Sequence, residues 1–221
     1  MDFATARIKM VDNQIRTTDV TSYAVIDAFM TVPREAFVPD RFKPLAYIDR
    51  DIEITPAGTG KLRYLMEPSP LAKLIQLAAV GPDDVVLDIG CGTGYTSAIL
   101  SLLATSVVAL ESDEQLAATA TETLASLGYD NVAVVTGPLS DGYRSEGPYD
   151  VIFVGGAVEE VPGALFDQLR EGGRLVTVEG IGNASRARLY LREEGAIGER
   201  ASFNTSVKPL PGFERPETFV F

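Results

Sequence analysis

Two acids flanking a glycine-rich turn are the residues best placed to do chemistry. Val85-Val86-Leu87-Asp88-Ile89 is an apolar run carrying an acid, and Gly90-Cys91-Gly92-Thr93-Gly94-Tyr95 follows at once. Such a run marks a strand buried on both faces. Glycine has no Cβ, so a G-x-G-x-G turn can adopt unusual dihedrals and let a ligand approach the backbone closely. Thr96 to Leu100 reads as the start of a helix. Strand, tight turn and helix form the geometry of a nucleotide pocket at the carboxyl end of a parallel sheet.

The spacing narrows the ligand. A dinucleotide fingerprint is G-x-G-x-x-G, with the pyrophosphate on the helix N-terminus. Here the third glycine comes one residue early, and Asp88 at the mouth of the turn would repel a pyrophosphate. An acid there suits hydroxyls or a cationic group. Glu111 ends the next apolar run, Val107-Val108-Ala109-Leu110, where such folds place a carboxylate for ribose hydroxyls. The whole looks like the S-adenosylmethionine site of a class I methyltransferase. Its cofactor-binding set is Asp88, Ile89, Gly90, Cys91, Gly92, Thr93, Gly94, Tyr95 and Glu111. Glycines alone in a βα turn fit any α/β protein; the two acids make the pattern specific. A nicotinamide dehydrogenase is disfavoured by the same spacing.

Composition removes other chemistries. The 221 residues include no His and one Cys, so Ser-His-Asp, Cys-His and His- or multi-Cys metal sites are excluded, as is an internal disulfide. Cys91 reads as a small residue filling a tight turn. A net charge of −12 argues against nucleic-acid backbones and anionic membrane surfaces as partners. No run is long enough to span a bilayer, and no signal peptide is visible, so the expected location is cytoplasmic. The length suits one sizeable globular domain.

The elements that must position the site alternate. Helices are expected over Thr5–Arg16 and Ser22–Val32, then an irregular, loop-like stretch from about 40 to 68. Ser69-Pro70 reads as N-cap and first residue of a helix that Gly81-Pro82 stops. After the organising strand, Ser112-Asp113-Glu114-Gln115 reads as a capping box for a helix ending at Gly128. Val132–Thr136, Val151–Val154 and Arg174–Val178 are further strands, with a short helix over Pro162–Leu169. Ala187–Leu191 and Phe203–Val207 follow as an antiparallel edge hairpin. The fold class is α/β: a doubly wound, mostly parallel seven-stranded Rossmann-like methyltransferase sheet with an N-terminal helical extension. Residues 1–68 are expected to form the helices and substrate-side loop, packed on a 69–221 cofactor-binding unit.

Several segments together resemble the protein-L-isoaspartate O-methyltransferases. They are Met10–Arg16, Val32-Pro33-Arg34-Glu35 with Phe37-Val38-Pro39, Ala46-Tyr47 with Asp49, the glycine turn, Gly147-Pro148-Tyr149-Asp150, Gln168–Val176 and, weakly, Leu210-Pro211-Gly212-Phe213. The Val-Pro-Arg-Glu segment is the most specific. The resemblance implies a repair enzyme that methylates the carboxylate of isoaspartyl sites in damaged proteins, with S-adenosylmethionine as cofactor and a peptide or protein as partner. The acceptor is ionised at neutral pH, so alignment rather than base catalysis would carry the reaction.

Two positions depart from the family pattern. Aligned on Pro68 and Ala72, Met66 stands at the family's active-site Ser and Tyr64 at its Thr. Met supplies no strong donor, and Glu67 facing inward would repel an anionic acceptor. Local realignment would let Ser69, Thr59 or Tyr64 supply the hydroxyl, although Ser69 already reads as a cap. The family's Gly-Asp after the third strand, whose acid accepts from the adenine amino group, is Gly137-Pro138 here. Proline has neither a side-chain acceptor nor an N–H. A methyltransferase with another acceptor, or a binding module without catalysis, are the competing readings.

Overall fold

The computed structural model describes residues 2–58, 61–180 and 182–214. Helix α1 (Phe3–Met10) starts on Asp2, whose carboxylate accepts from the Thr5 N–H, and runs on as a π-helical turn over Val11–Ile15. Helix α2 (Tyr23–Thr31) is capped by the Ser22 hydroxyl. Two 3-10 segments follow, Arg34–Phe37 and Asp40–Leu45. The short strands β1 (Ile52–Glu53) and β2 (Tyr64–Leu65) pair antiparallel. Helix α3 (Pro68–Ala78) leads into β3 (Val85–Ile89), α4 (Tyr95–Ser101), β4 (Ser106–Glu111), α5 (Glu114–Leu127) and β5 (Val132–Thr136). Then come β6 (Tyr149–Val158), α6 (Gly163–Phe166), β7 (Leu169–Glu179), β8 (Arg186–Glu193) and β9 (Ala196–Asn204).

Seven strands form one sheet in the order β5-β4-β3-β6-β7-β8-β9. The first five pair in parallel and the last two antiparallel. Alternation along the strands divides the core between two faces. Val86, Val151 and Phe153 pack on one side with α2, α3, α4 and α5. Leu87, Ile89, Ile152 and Val154 pack on the other with α6 and the Leu210–Phe213 segment. The chain passes from β3 to a neighbour on one side, β4, and later to one on the other, β6. That reversal opens a crevice at the carboxyl end of β3. Among the described residues, no helix is long and apolar enough to cross a membrane.

The expected strands and edge hairpin are present, with longer limits for β6 to β8, but the last strand is displaced: β9 is Ala196–Asn204 rather than Phe203–Val207, because a tight turn at Glu194-Gly195, both at positive φ, folds the chain straight back on β8. Three further local expectations are corrected. Helix α3 begins two residues early, with Pro68 at its first position and Glu67 before it. Ser69 therefore lies inside the first turn and makes no cap. That helix ends on Ala79 in the left-handed region rather than at Gly81. The cap of α5 is Asp113, which accepts from the Gln115 and Leu116 N–H groups; its own N–H donates to Glu111, so the helix starts on a simple cap and not on the expected box. The stretch from 40 to 68 also carries order that its composition conceals.

That order rests on Arg34, which is fully buried. Its Nε donates to the Ala46 carbonyl at 2.8 Å and its Nη2 to the Met66 carbonyl at 2.7 Å. The guanidinium lies 4.8 Å from the centre of the Tyr95 ring, and Tyr95 packs edge-on against Phe29 and Phe37. The Val-Pro-Arg-Glu segment thus locks the N-terminal helices to the start of α4. Its Glu35 accepts from the Tyr47 hydroxyl and faces Arg7.

Arg34→Met keeps the apolar stem and strands two buried carbonyls. At about 1–3 kcal/mol for each unsatisfied group, unfolding free energy should fall by about 2–6 kcal/mol. Urea unfolding checks this, and a change within error would mean the carbonyls find other donors.

Candidate functional site

The crevice is built by the turn after β3 and the end of β4. Gly90 and Gly92 take positive φ angles of 81° and 57°. The N–H groups of Gly90 and Cys91 both donate to the Leu110 carbonyl, at 2.9 and 3.2 Å, which ties the turn to β4. This conformation aims the Gly92 N–H at Glu111 Oε2, 2.8 Å away. Gly155 of β6 closes the other flank: a Cβ there would stand 3.3 Å from the Gly90 carbonyl oxygen.

Glu111 is fully buried and its two oxygens are saturated. Oε1 accepts from the N–H groups of Ser112 at 2.8 Å and Asp113 at 3.0 Å. Arg63, arriving from the residue before β2, donates through Nη1 to Oε1 and through Nη2 to Oε2, the latter at 2.7 Å. Its Nη2 also reaches the Gly90 carbonyl at 3.2 Å. Only 5% of Arg63 is exposed. This is a bidentate, desolvated ion pair, which is strong in geometry and costly to break from one side.

Asp88 is also fully buried. Ser97 on α4 donates to its Oδ2 at 2.6 Å, while Oδ1 has no hydrogen-bond partner among the described residues. Burial pushes its carboxyl up to about 7, opposed by the Ser97 hydrogen bond and reinforced by the nearby Glu111 charge. Burial likewise raises the Cys91 thiol, which leaves it a packing residue rather than a nucleophile.

The remaining sequence-derived candidates divide. Ile89 is a buried strand residue. Thr93 donates its hydroxyl to the Phe37 carbonyl at 2.6 Å. Gly94 caps α4, and the Tyr95 side chain is spent in the core against Arg34. The Gly137 N–H donates to the Glu111 carbonyl at 3.0 Å, and Pro138 opens the 3-10 turn Leu139–Asp141 beside it. These two therefore border the Glu111 end of the crevice. Thr59 lies outside the described residues.

Met66 is buried and lines a small cavity with Asp51, Arg63, Tyr64, Gly155 and Lys208. At about 10 Å³ it has room for about one water. The acid facing that cavity is Asp51, which accepts from the Glu67 N–H at 3.0 Å. Glu67 itself is half-buried beside Asp51 and Asp49. Burial, then those two charges, raises its carboxyl above the usual range.

Sequence reasoning found Glu111 and the turn but missed Arg63, Asp51, Ile54 and Leu210. Leu210 lies over Gly90, where a Cβ would come within 2.6 Å of its Cδ1, and Ile54 lies over Gly92 at 2.7 Å. Leu210 is held there because its N–H donates to the Ala157 carbonyl at the end of β6. The only sequence signal for Arg63 is a cation between Leu62 and Tyr64, which ordinarily marks a solvated loop.

The residues fit the cofactor that the sequence pattern implies. The crevice joins side-chain-free backbone, a buried carboxylate for a diol, and a backbone kept open by Gly90 and Gly92. Among the described residues, the ends of Ile54 and Leu210 lie over that backbone and the end of Arg63 lies on Glu111.

Residues 5–206 match the family model described as Protein-L-isoaspartate(D-aspartate) O-methyltransferase (PCMT). A Koribacter versatilis protein-L-isoaspartate O-methyltransferase is 42% identical over 210 residues, covering 95% of this chain and 92% of that protein. Its Protochlamydia amoebophila counterpart is 37% identical, covering 95% and 98%. Among solved structures, a protein-L-isoaspartate O-methyltransferase superposes with a TM-score of 0.80 at 27% identity, covering 94% of this chain and 67% of that one. The fold is shared at a TM-score of 0.77 and 21% identity with a Plasmodium falciparum chain described as a candidate member of that enzyme class, in complex with S-adenosyl-L-homocysteine; 92% of this chain and 97% of that one are covered.

The Asp88 environment has a pH signature. Its native value, about 7, stands above the ordinary 3.8. The folded protein therefore keeps a proton that the unfolded chain has released, and stability falls as pH rises between those values. Asp88→Asn removes this titration. Its stability relative to the parent should rise by about 1.4 kcal/mol for each pH unit across that window. Urea unfolding of both proteins at mildly acidic and neutral pH measures it, and parallel profiles would mean that Asp88 ionises as in solution.

Proposed function

The chain belongs to the protein-L-isoaspartate O-methyltransferase family, and from that membership we propose that it transfers a methyl group from S-adenosylmethionine to isoaspartyl carboxylates in damaged proteins. The observation that carries the reading is Glu111, a buried carboxylate beside the glycine turn at the carboxyl end of a parallel sheet. When bound, the cofactor supplies an electrophilic methyl on a sulfonium. Glu111 would hold the ribose hydroxyls, and the Gly90–Gly92 backbone would admit the chain beyond them. Gly137 and Pro138 would border the adenine, with Pro138 contributing shape and no donor.

The protein's own task is then binding, orientation and exclusion of water. An isoaspartyl carboxylate is ionised near neutral pH and needs no base, so a chain without His lacks nothing for this chemistry. Met66 sits at the family's Ser position, where its thioether offers the acceptor no strong donor. A location in the cytoplasm belongs to the same proposal, because one buried cysteine and no internal disulfide suit a reducing compartment.

One observation favours a second reading, in which the acceptor differs or catalysis is lost. The cavity at Met66 is lined by Asp51, an acid that opposes a carboxylate acceptor.

Methyl transfer from labelled S-adenosylmethionine to an isoaspartyl peptide separates the two. We expect slow transfer by the unmodified protein and a gain of about tenfold or more for Met66→Ser, the scale on which one positioned donor acts. Cofactor binding with no peptide labelling by either protein would favour the second reading.

A further inference from the structure

The Arg63–Glu111 pair stands where the cofactor reading needs a free carboxylate. Both oxygens of the carboxylate that would receive a ribose diol are already held by Arg63. Such a diol needs the positions that the guanidinium takes.

The contact is part of a larger closure. The Ile54 N–H donates to the Arg63 carbonyl at 2.9 Å, and the Arg63 N–H donates to Thr55 Oγ1 at 2.9 Å. The two arms of this antiparallel pair therefore move together. One arm lays Ile54 over Gly92 and the other delivers Arg63 to Glu111. The same arm continues through Tyr64 and Leu65 to Met66, whose carbonyl is fixed by Arg34. A rigid anchor at Met66 thus stands three residues from the guanidinium.

We propose that Arg63 is an internal competitor for the cofactor site: it occupies Glu111 in place of the ribose hydroxyls, and an adenosyl ligand binds only when the guanidinium leaves. The inference rests on the cofactor reading above. It assigns Arg63 a positioning role, since it acts through Glu111 and touches no reacting atom. Binding is weakened by the fraction of molecules in which the pair is closed. The free protein gains from the pair, because a buried carboxylate without a partner is costly. The cofactor site is thereby kept filled by protein until a ligand with hydroxyl donors replaces the guanidinium.

Calorimetry with S-adenosylhomocysteine on the full chain tests this without requiring turnover. Arg63→Ala should bind it tighter than the parent by about tenfold or more, the reciprocal of a minor competent fraction. Arg63→Lys, which keeps the charge but loses the two-pronged donor set, should fall between them. Arg63→Ala should also melt lower than the parent without ligand and gain more from its addition. On the unmodified protein, the Arg63 guanidinium 15N resonances should shift from the paired to the solvated position as the ligand is added, which does not depend on any variant folding. Equal affinities with unmoved Arg63 resonances would overturn the proposal and leave the cofactor reading intact. Weaker binding by Arg63→Ala would also overturn it, by making Arg63 a ligand group. No binding by any of the proteins would overturn the cofactor reading itself, and this inference with it.

Discussion

A carboxylate with no solvent contact has to be satisfied from within, and Glu111 imposes that demand on everything around it. Its backbone donors come from the two residues after β4 and from Gly92. The Gly92 N–H points inward because the turn adopts left-handed backbone, which favours glycine. The charge that remains is met by Arg63. Meeting it draws the residues around β1 and β2 across the crevice and sets Ile54 on the turn. The glycine spacing, the β3–β4 junction and the closed hairpin are thus three consequences of one buried charge.

The two buried arginines differ in what can replace them. Arg34 serves two buried backbone carbonyls and an aromatic face, none of which a ligand hydroxyl acceptor would replace. Arg63 serves a carboxylate, which a neutral diol can also satisfy. One guanidinium is therefore permanent scaffold and the other is exchangeable. They are joined through Met66, which Arg34 anchors and whose chain leads directly to Arg63. The segment between them is held firmly at one end and reversibly at the other.

Much of this fold can be read from the sequence, because parallel strands buried on both faces are apolar without interruption. β4 ends with its run, at Glu111, and β3 ends with its own, which carries one acid, Asp88; β5, at the sheet edge, is only partly buried. β6 runs past its apolar stretch because Gly155 and Gly156 continue it, pressed against the Gly90 carbonyl and Leu210, where no side chain fits. The stretch from 40 to 68 reads as a loop because its order comes from one buried arginine rather than from a period. Helix α3 has prolines at 68 and 70, and both suit a first turn; the chain uses the earlier one, which displaces Ser69 from the cap. At the site, acids and glycines are legible because their types state their chemistry. Arg63 and Glu111 are 48 residues apart, and nothing local distinguishes a cation that will be buried from one that will be solvated.

Apart from the glycine turn, which borders the crevice, the motifs that carry the family likeness serve the scaffold. Val32, Arg34 and Phe37 are core, Tyr95 is core, and Tyr149 and Gln168 are buried where β6 and β7 begin. Removing any of them would leave a void or a stranded polar group. Met66 lines the small cavity beside Arg63 and fills its site with apolar bulk, and Pro138 begins a turn that suits proline. The chemistry is decided by a few crevice positions, and Glu111 is the one among them that the fold itself cannot do without.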